Sequence, residues 1–212
     1  MVTGALNLAE IPDDGSYSKR EILRYALPGG GDASALPLDE CLALARGVGD
    51  GRIVWSVQPV SETADGMCVG PLKLPSEDLR RALRGCGEAV VLAATLGLEM
   101  DRLIARYKRI SPVRALVLHA IGAERIEHAL DIFSGQLCRE LALERKLLRP
   151  RFSPGYGDLP LAVQPDIFAL LDCERRLGLT LNESLIMTPS KSVTAIAGIR
   201  RAEEDSDHEN RA

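Results

Sequence analysis

The chain has 212 residues, of which 46% are hydrophobic and 26% are charged, and its formal net charge is −4. The acidic balance and an aromatic content of only 4% argue against a general nucleic-acid binder, because such proteins present a basic face and often stacking rings. The length predicts one ordinary core, which we expect to be a single domain over 1–201 followed by a charged, disordered tail at 202–212.

The five cysteines are spread along the chain without any C-x-x-C pair. This pattern is typical of scattered thiols in a reducing compartment, and it predicts neither a disulfide framework nor a metal site. The first residues carry early acids and no long apolar run, so the sequence predicts neither a signal peptide nor a membrane span. We therefore expect a cytoplasmic protein.

The first half of the chain alternates between helix and strand signals. Residues 1–17 are predicted to be irregular or strand-like, and Ser18 with Glu21 forms a capping-box pattern that starts a helix. The predicted elements as far as residue 96 are helices at about 19–26, 37–47 and 76–85, and strands at about 52–60, 67–72 and 88–96. The last of these strands is apolar throughout, which is typical of a strand buried on both faces.

A helix at 98–110 precedes the longest helical segment, which is predicted to begin at Ser111-Pro112 and to run to about residue 146. One stripe of this long helix begins apolar and becomes acidic at Glu124, Glu127 and Asp131. Small residues beside a carboxylate would leave room for a ligand against the helix. From these residues alone, acids that simply face water remain the simpler interpretation.

After a stretch at 145–149 that is predicted to end this basic helix, the chain enters a loop, Arg151-Phe-Ser-Pro-Gly155-Tyr156. Pro154 fixes its own backbone φ, and Gly155 allows a ligand to approach the backbone closely. A guanidinium suits a carboxylate, and an aromatic ring suits a cation or a flat heterocycle. An amino-acid-like ligand with a positive centre and a base would fit both, although a proline-rich linker with an incidental Arg and Tyr is the better explanation of the short pattern by itself.

The remaining elements are predicted to be a helix at 165–177 and two strands at 179–188 and 192–199. The two strands are predicted to form a hairpin around Pro189-Ser-Lys191, since this composition is ordinary for a turn. Partial alternation of helices and strands, followed by a hairpin, indicates an α+β or an α/β fold.

The segment 145–200 resembles the activation (reactivation) domain of cobalamin-dependent methionine synthase. The S-adenosylmethionine signature of that family, R-x-x-x-G-Y, is matched by Arg151, Gly155 and Tyr156. Its later motifs, L-T-E-S and M-x-P-x-x-S-V, are matched in order and spacing by Leu181-Asn-Glu-Ser184 and by Met187-Thr-Pro-Ser-Lys-Ser-Val193. Upstream, Ala94-Thr-Leu-Gly97 also resembles the same family at the corresponding place.

The resemblance implies an α+β fold in which a twisted, largely antiparallel sheet is bent into a C shape and helices pack around it. It also implies that Arg151 pairs with the carboxylate of S-adenosylmethionine, with Gly155 and Tyr156 beside the ligand. Glu127, placed by the local pattern G-x-x-x-x-E, would neutralise the ammonium or favour the sulfonium. None of these residues is a nucleophile, so no catalytic residue is assigned. Further candidates for the cleft wall are Phe152, Pro154, Met187, Pro189 and Ser192.

The resemblance implies a function in reductive methylation of cob(II)alamin, with the methyl group from S-adenosylmethionine and the electron from a flavodoxin-like reductase. The chain has no D-x-H-x-x-G cobalamin-ligand motif, so a partner methionine synthase would carry the cobalamin and this protein would act in trans. Its Gly157-Asp-Leu-Pro160 resembles the compact stand-alone branch of the family.

Two other functions remain open from the sequence. One is a non-catalytic S-adenosylmethionine-binding or docking module for another corrinoid methyltransferase. The other is an independent methyltransferase acting on a small molecule, which is the weaker hypothesis because no glycine fingerprint follows a strand.

Overall fold

A computed structural model describes residues 3–7, 18–49, 51–63 and 66–202. The strands are β1 (Thr3–Asn7), β2 (Arg52–Thr63), β3 (Gly66–Val69), β4 (Leu72–Leu74), β5 (Glu88–Thr95), β6 (Lys146–Leu148), β7 (Thr180–Leu181), β8 (Met187–Thr188) and β9 (Ser192–Arg201). Seven of them form one sheet in the order β4-β3-β2-β5-β9-β6, with β1 paired to β2, while β7 and β8 pair only with each other. Every pairing is antiparallel, which confirms the α+β class and the antiparallel sheet.

The helices are α1 (Lys19–Ala26), α2 (Leu38–Ala45), α3 (Glu77–Ala82), α4 (Leu98–Ile110), α5 (Pro112–Leu143), α6 (Gln164–Leu171) and α7 (Cys173–Leu177). Short 3₁₀ turns at Ala33–Ala35 and Leu161–Val163 precede α2 and α6. Within the described ranges, no helix is both long and apolar enough to cross a bilayer. The predicted tail at 202–212 lies, apart from its first residue, outside the described residues.

Both faces of the sheet are covered, as the side chains of β5 show: they alternate between two hydrophobic clusters, one on each face. Val90, Leu92 and Ala94 pack into the cluster that contains residues of α1, α2, α4 and α5. The intervening residues of β5 pack into the cluster that contains residues of α3, α6 and α7. Burial of the strand on both faces was predicted from its unbroken apolar sequence, and this prediction is confirmed.

Helix α1 begins where the sequence places it, but its predicted capping box is completed differently. The Ser18 hydroxyl accepts a hydrogen bond from the Glu21 backbone N–H at 3.2 Å, as predicted. The Glu21 carboxylate accepts from Arg24 Nε at 2.6 Å, whereas the Ser18 backbone N–H donates to Glu124 Oε1 at 3.1 Å. A carboxylate of α5 therefore fixes the start of α1 against the long helix.

The prediction that residues 145–149 end a basic helix is wrong. Helix α5 ends at Leu143, and Arg145 takes a positive φ of 55° that turns the chain. Residues 146–148 then pair with the end of β9 as β6. The Lys146 ammonium lies 2.8 Å from Glu88 and 2.9 Å from Glu144, so pairing at the sheet edge overrides the helical propensity of this segment.

The prediction of one helix at 165–177 is also wrong, because the chain bends at Asp172. This residue takes a left-handed conformation, with φ 53° and ψ 49°, and thereby separates α6 from α7.

The predicted hairpin of 179–188 with 192–199 is not formed. The Asn182 side chain accepts backbone hydrogen bonds at 2.9 Å from both Ser184 and Ile186, which folds 179–188 back on itself as β7 and β8. The Pro189–Lys191 segment is held against α4, because Ser190 donates its backbone N–H and its hydroxyl to Asp101, each at 2.6 Å. Lys191 is buried instead of lying in an exposed turn.

Candidate functional site

The candidate site is a cavity of about 390 Å³ between α5, the loop that follows β6, and the start of β9. Its lining residues are Glu127, Asp131, Pro150, Arg151, Ser153 and Val193. The cavity therefore brings together two residues predicted from the sequence, Arg151 and Glu127, although 24 positions separate them in the chain.

Arg151 is the only cation among the residues that line this cavity, and it faces two carboxylates. Its Nη2 atom donates to Glu127 Oε2 at 3.1 Å and to Asp131 Oδ1 at 2.8 Å, while Nη1 donates to the Ser134 hydroxyl at 3.0 Å. The Arg151 side chain is 22% exposed, whereas those of Glu127 and Asp131 are 41% and 69% exposed. The Ser134 hydroxyl thus helps to fix the largely buried guanidinium, while both carboxylates remain accessible to solvent.

Helix geometry explains why α5 presents both acids to one guanidinium. Glu127 and Asp131 are four positions apart, so they lie on the same face and their like charges repel when no cation is near. One turn earlier, Glu124 is buried with its carboxylate against the start of α1, and this burial raises the pKa of Glu124. A solvated acidic pair and a buried structural acid therefore follow one another along the same helix.

Helix α1 brings an aromatic residue to the same acidic face. The Tyr25 ring is partly exposed, and the Arg24 guanidinium lies 4.9 Å from its centroid. Burial and the nearby Glu127 carboxylate both raise the pKa of the Tyr25 phenol. Tyr25 thus lies within electrostatic reach of the candidate site.

The loop that carries Arg151 is fixed at its two ends. At the first end, Phe152 and Ile196 of β9 exchange two backbone hydrogen bonds of 2.8 Å, which attach the loop to the sheet. At the other end, the Asp158 carboxylate accepts from the Ser76 hydroxyl, from Glu77 N–H at 2.8 Å and from Asp78 N–H at 3.2 Å. Asp158 therefore caps the start of α3, and this contact closes the loop against the body of the protein.

Between these two attachments, Gly155 and Tyr156 form the turn of the loop. Gly155 has φ 86°, and its N–H donates to Leu159 O at 2.8 Å. A side chain at this position would be strained, and its Cβ would lie 3.1 Å from Leu161 Cδ2. Tyr156 is 71% exposed and packs edge-to-face on Phe152, with ring centroids 5.6 Å apart. The loop thus presents one aromatic ring to solvent. Gly155 and Tyr156 are not among the residues that line the Arg151 cavity, so their contact with a ligand stays a prediction.

Three further predicted wall residues lie near the start of β9, outside the set that lines the Arg151 cavity. Met187 packs against the hydrophobic cluster under α6 and α7. Ser192 donates its hydroxyl to Pro189 O at 2.7 Å and shares a 2.8 Å hydrogen bond with the Thr95 hydroxyl. The contact of these residues with a ligand stays a prediction, as it does for Pro154 and for Phe152, which is engaged with the sheet.

Asp131, Ser134 and Val193 were not predicted to belong to the site, and no role was predicted for Asp158. Asp131 and Ser134 had a usable signal, because spacings of four and seven residues from Glu127 keep them on one helix face. Val193 and Asp158 had no such signal, since their positions depend on strand register and on a contact with α3.

A guanidinium beside two carboxylates offers complementary charges to both ends of a zwitterion. An α-amino acid group could place its carboxylate on Arg151 and its ammonium on Glu127 or Asp131, exchanging an internal ion pair for two external ones. Within the described residues, no group of three or more His, Cys, Asp or Glu side chains is arranged to hold a metal ion. The charges that line the cavity are suited to forming ion pairs with a charged organic ligand.

Comparison with known proteins supports the fold. No protein-family model matches the chain, and no curated protein matches it by sequence. Among solved structures, the chain is similar to the reactivation domain of MetH, whose crystal structure has AdoHcy bound. The similarity has a TM-score of 0.67 and covers 96% of this chain and 80% of that chain, at 15% sequence identity. This likeness establishes a shared fold.

Proposed function

We propose that this protein is an S-adenosylmethionine-binding reactivation subunit. It would support reductive methylation of cob(II)alamin on a cobalamin-dependent methionine synthase, acting in trans. The observation that carries the proposal is the opposition of Arg151 to Glu127 and Asp131 in one cavity, within a fold shared with a reactivation domain that binds AdoHcy.

The ligand of that structure shares its amino acid and adenosine groups with S-adenosylmethionine and lacks the methyl group that would be transferred. In our proposal, the ligand carboxylate pairs with the Arg151 guanidinium, and the ligand ammonium pairs with Glu127 or Asp131. Because Arg151 is mostly buried and its fork is already oriented by Ser134, little side-chain entropy is lost when the ligand replaces a protein carboxylate.

The positive sulfonium is also suited to this site. Two carboxylates partly exposed to solvent supply negative charge beside the guanidinium, which favours a ligand with one negative and two positive centres. The exposed Tyr156 ring can stack on the adenine or on the face of the corrin. This chain would thus bind and orient the methyl donor while leaving its methyl group accessible to a partner.

The cobalamin carried by the partner would supply the metal-centred chemistry of methyl transfer, with the electron from a flavodoxin-like reductase. We expect this encounter to occur in the cytoplasm, where the five cysteines, all free thiols, would remain reduced. The partner is expected to be a methionine synthase that lacks its own activation domain. A non-catalytic module for another corrinoid methyltransferase would use the same pocket without supporting this reaction.

The test is a reconstitution with a cobalamin-loaded methionine synthase truncated before its activation domain, reduced flavodoxin and S-adenosylmethionine labelled in its methyl group. We expect label to reach the cobalamin only when this protein is present, and transfer to fall strongly with Arg151→Ala. Arg109→Ala, which removes an exposed arginine from α4, is the matched control. Retained binding of S-adenosylmethionine without any transfer would replace the proposal with the binding-module alternative.

A further inference from the structure

The hydrogen bonds that Arg151 makes within the protein occupy the nitrogen that a ligand carboxylate needs. Its Nη2 atom donates to Glu127 at 3.1 Å and to Asp131 at 2.8 Å, while Nη1 donates to the Ser134 hydroxyl at 3.0 Å. A carboxylate binds a guanidinium at two points either through Nε and Nη2 or through Nη1 and Nη2, so both arrangements use a hydrogen of Nη2. Because two carboxylates already accept from Nη2, a ligand carboxylate must displace Glu127 or Asp131.

The exposure of the two acids indicates which of them is displaced. The Asp131 side chain is 69% exposed, whereas that of Glu127 is 41% exposed. The Asp131 contact is the shorter of the two, but water screens an exposed ion pair and leaves it little net strength. The less exposed Glu127 carboxylate is screened less and attracts a cation more strongly. The ligand carboxylate therefore replaces Asp131 on Arg151, and Glu127 stays in place to bind the ligand ammonium.

Asp131 remains beside the ligand after it leaves Arg151, because it lies one helical turn beyond Glu127 on the same face of α5. In S-adenosylmethionine, the sulfonium is separated from the ammonium by a short carbon chain, whose length is comparable with one helical turn of about 5.4 Å. An ammonium bound to Glu127 thus leaves the sulfonium within reach of the Asp131 carboxylate.

The charge of the cavity favours a ligand that carries this extra positive centre. The lining residues include two carboxylates and one guanidinium, which gives a net charge of −1. The next acid on the helix, Glu124, is buried and accepts the Ser18 backbone N–H instead of lining the cavity. AdoHcy is a zwitterion without net charge and leaves the excess carboxylate unpaired, whereas the sulfonium of S-adenosylmethionine neutralises it.

We propose that Asp131 is a specificity-determining residue of this site. It pairs with Arg151 in the empty protein, is displaced by the ligand carboxylate, and then favours the sulfonium ligand over its demethylated product. This inference rests on the proposed function, because it takes S-adenosylmethionine as the ligand of the Arg151 cavity. Transfer of the methyl group removes the positive charge opposite Asp131, so the same residue promotes release of the product.

The test is titration calorimetry of S-adenosylmethionine and of AdoHcy into the wild type, Asp131→Asn and Glu127→Gln. Asp131→Asn should tighten AdoHcy binding about twofold to fivefold, since an exposed competing carboxylate is lost. The preference for S-adenosylmethionine over AdoHcy should fall by a similar factor, since the charge opposite the sulfonium is lost. Glu127→Gln should instead weaken both ligands, because both carry the ammonium. A merely structural role for Asp131 would not produce opposite effects of the two variants on AdoHcy.

Glu140→Gln is the matched control, since it removes the same charge from an exposed residue of α5 that does not line the cavity. It should change each affinity less than twofold. Weaker AdoHcy binding in Asp131→Asn, or an unchanged preference for S-adenosylmethionine, would overturn the inference and leave the proposed function standing. An effect of Glu140→Gln as large as that of Asp131→Asn would also overturn it.

Acetate provides a test of the competition that does not depend on S-adenosylmethionine. Its binding can be followed by NMR through the Arg151 Nε–H signal, which is assigned by its loss in Arg151→Lys. We expect saturation at a severalfold lower acetate concentration in Asp131→Asn than in the wild type or in Glu140→Gln. This result, together with no binding of either adenosyl ligand to any variant, would uphold the competition and refute the proposed function. Equal acetate binding in all three proteins would overturn the inference.

Discussion

Gly198 lies in the middle of β9, opposite Ala89 of β5, at a point where the sheet meets the layer of α3. A Cβ added there would lie 2.5 Å from Cys86 Sγ, 2.9 Å from Leu83 Cδ2 and 3.3 Å from Cys86 Cβ. The first two distances are shorter than real contacts, so Gly198→Ala forces the thiol and the leucine to move within a filled core.

The expected loss of stability follows from two opposing effects. Alanine in a strand interior recovers about 0.5–1 kcal/mol relative to glycine, because it restricts the unfolded chain. Overpacking costs about 1–3 kcal/mol. Taking the middle of both ranges, we expect Gly198→Ala to lower the free energy of unfolding by about 1 kcal/mol, which corresponds to a fall in Tm of roughly 2–4 °C for a chain of this size.

The assay is urea unfolding of the single variants Gly198→Ala and Cys86→Ala and of the double variant. Cys86→Ala removes the sulfur that the new Cβ meets and leaves Leu83, whose terminal methyl can rotate away. The double variant should be more stable than the sum of the single effects predicts, by about 1 kcal/mol. Additive effects, or a Gly198→Ala variant as stable as the wild type, would refute the register of β9 against β5 and the position of Cys86.

Two further predictions concern the ligand loop and the buried lysine. Asp158→Ala should weaken S-adenosylmethionine binding severalfold by calorimetry, because it releases the loop from α3. The hydrogen bond from Ser76 lowers the pKa of the Asp158 carboxyl below 3.8. The ionised Asp158 should therefore stabilise the protein fully above pH 3.8, and this stabilisation should disappear as the pH falls further. Urea midpoints at pH 7 and pH 3 would detect the loss. Burial lowers the pKa of Lys191 from 10.5 to about 8. Between about pH 8 and pH 10.5, Lys191 is therefore protonated in the unfolded chain and neutral in the folded protein. The free energy of unfolding of the wild type should rise with pH across this interval. Lys191→Met should remove this rise and raise stability at pH 7, and identical pH profiles for the two proteins would contradict the burial of the lysine.

The sequence allowed much of the fold to be predicted where local signals and tertiary structure agree. The Ser18 cap, the apolar strand at 88–96 and the Ser111-Pro112 helix start all appear as predicted. Local signals failed where a distant contact decides the conformation. Residues 146–148 form a strand because the end of β9 lies beside them, and Pro189–Lys191 is held by Asp101 of α4 instead of forming a hairpin turn.

In the candidate site, too, some residues could be predicted from local sequence and others depend on distant contacts. Arg151 and Glu127 were identified from short motifs, and their contact depends on the loop returning across α5. Asp131 shares the helical spacing of Glu127 and was visible as part of an acidic stripe, but spacing alone does not distinguish a solvated acid from a ligand. The role of Asp158 was not predictable, because its partners Ser76, Glu77 and Asp78 lie about eighty residues away in the chain.

The most direct test of the central claim is titration calorimetry of S-adenosylmethionine into the wild type and into Arg151→Ala, with Arg109→Ala as control. Loss of a charge-assisted, two-point contact should cost about 1.5–3 kcal/mol, so we expect affinity to fall roughly tenfold to a hundredfold in Arg151→Ala and to stay unchanged in the control. Binding that survives Arg151→Ala unchanged would contradict the assignment of the carboxylate to Arg151 and, with it, the proposed site.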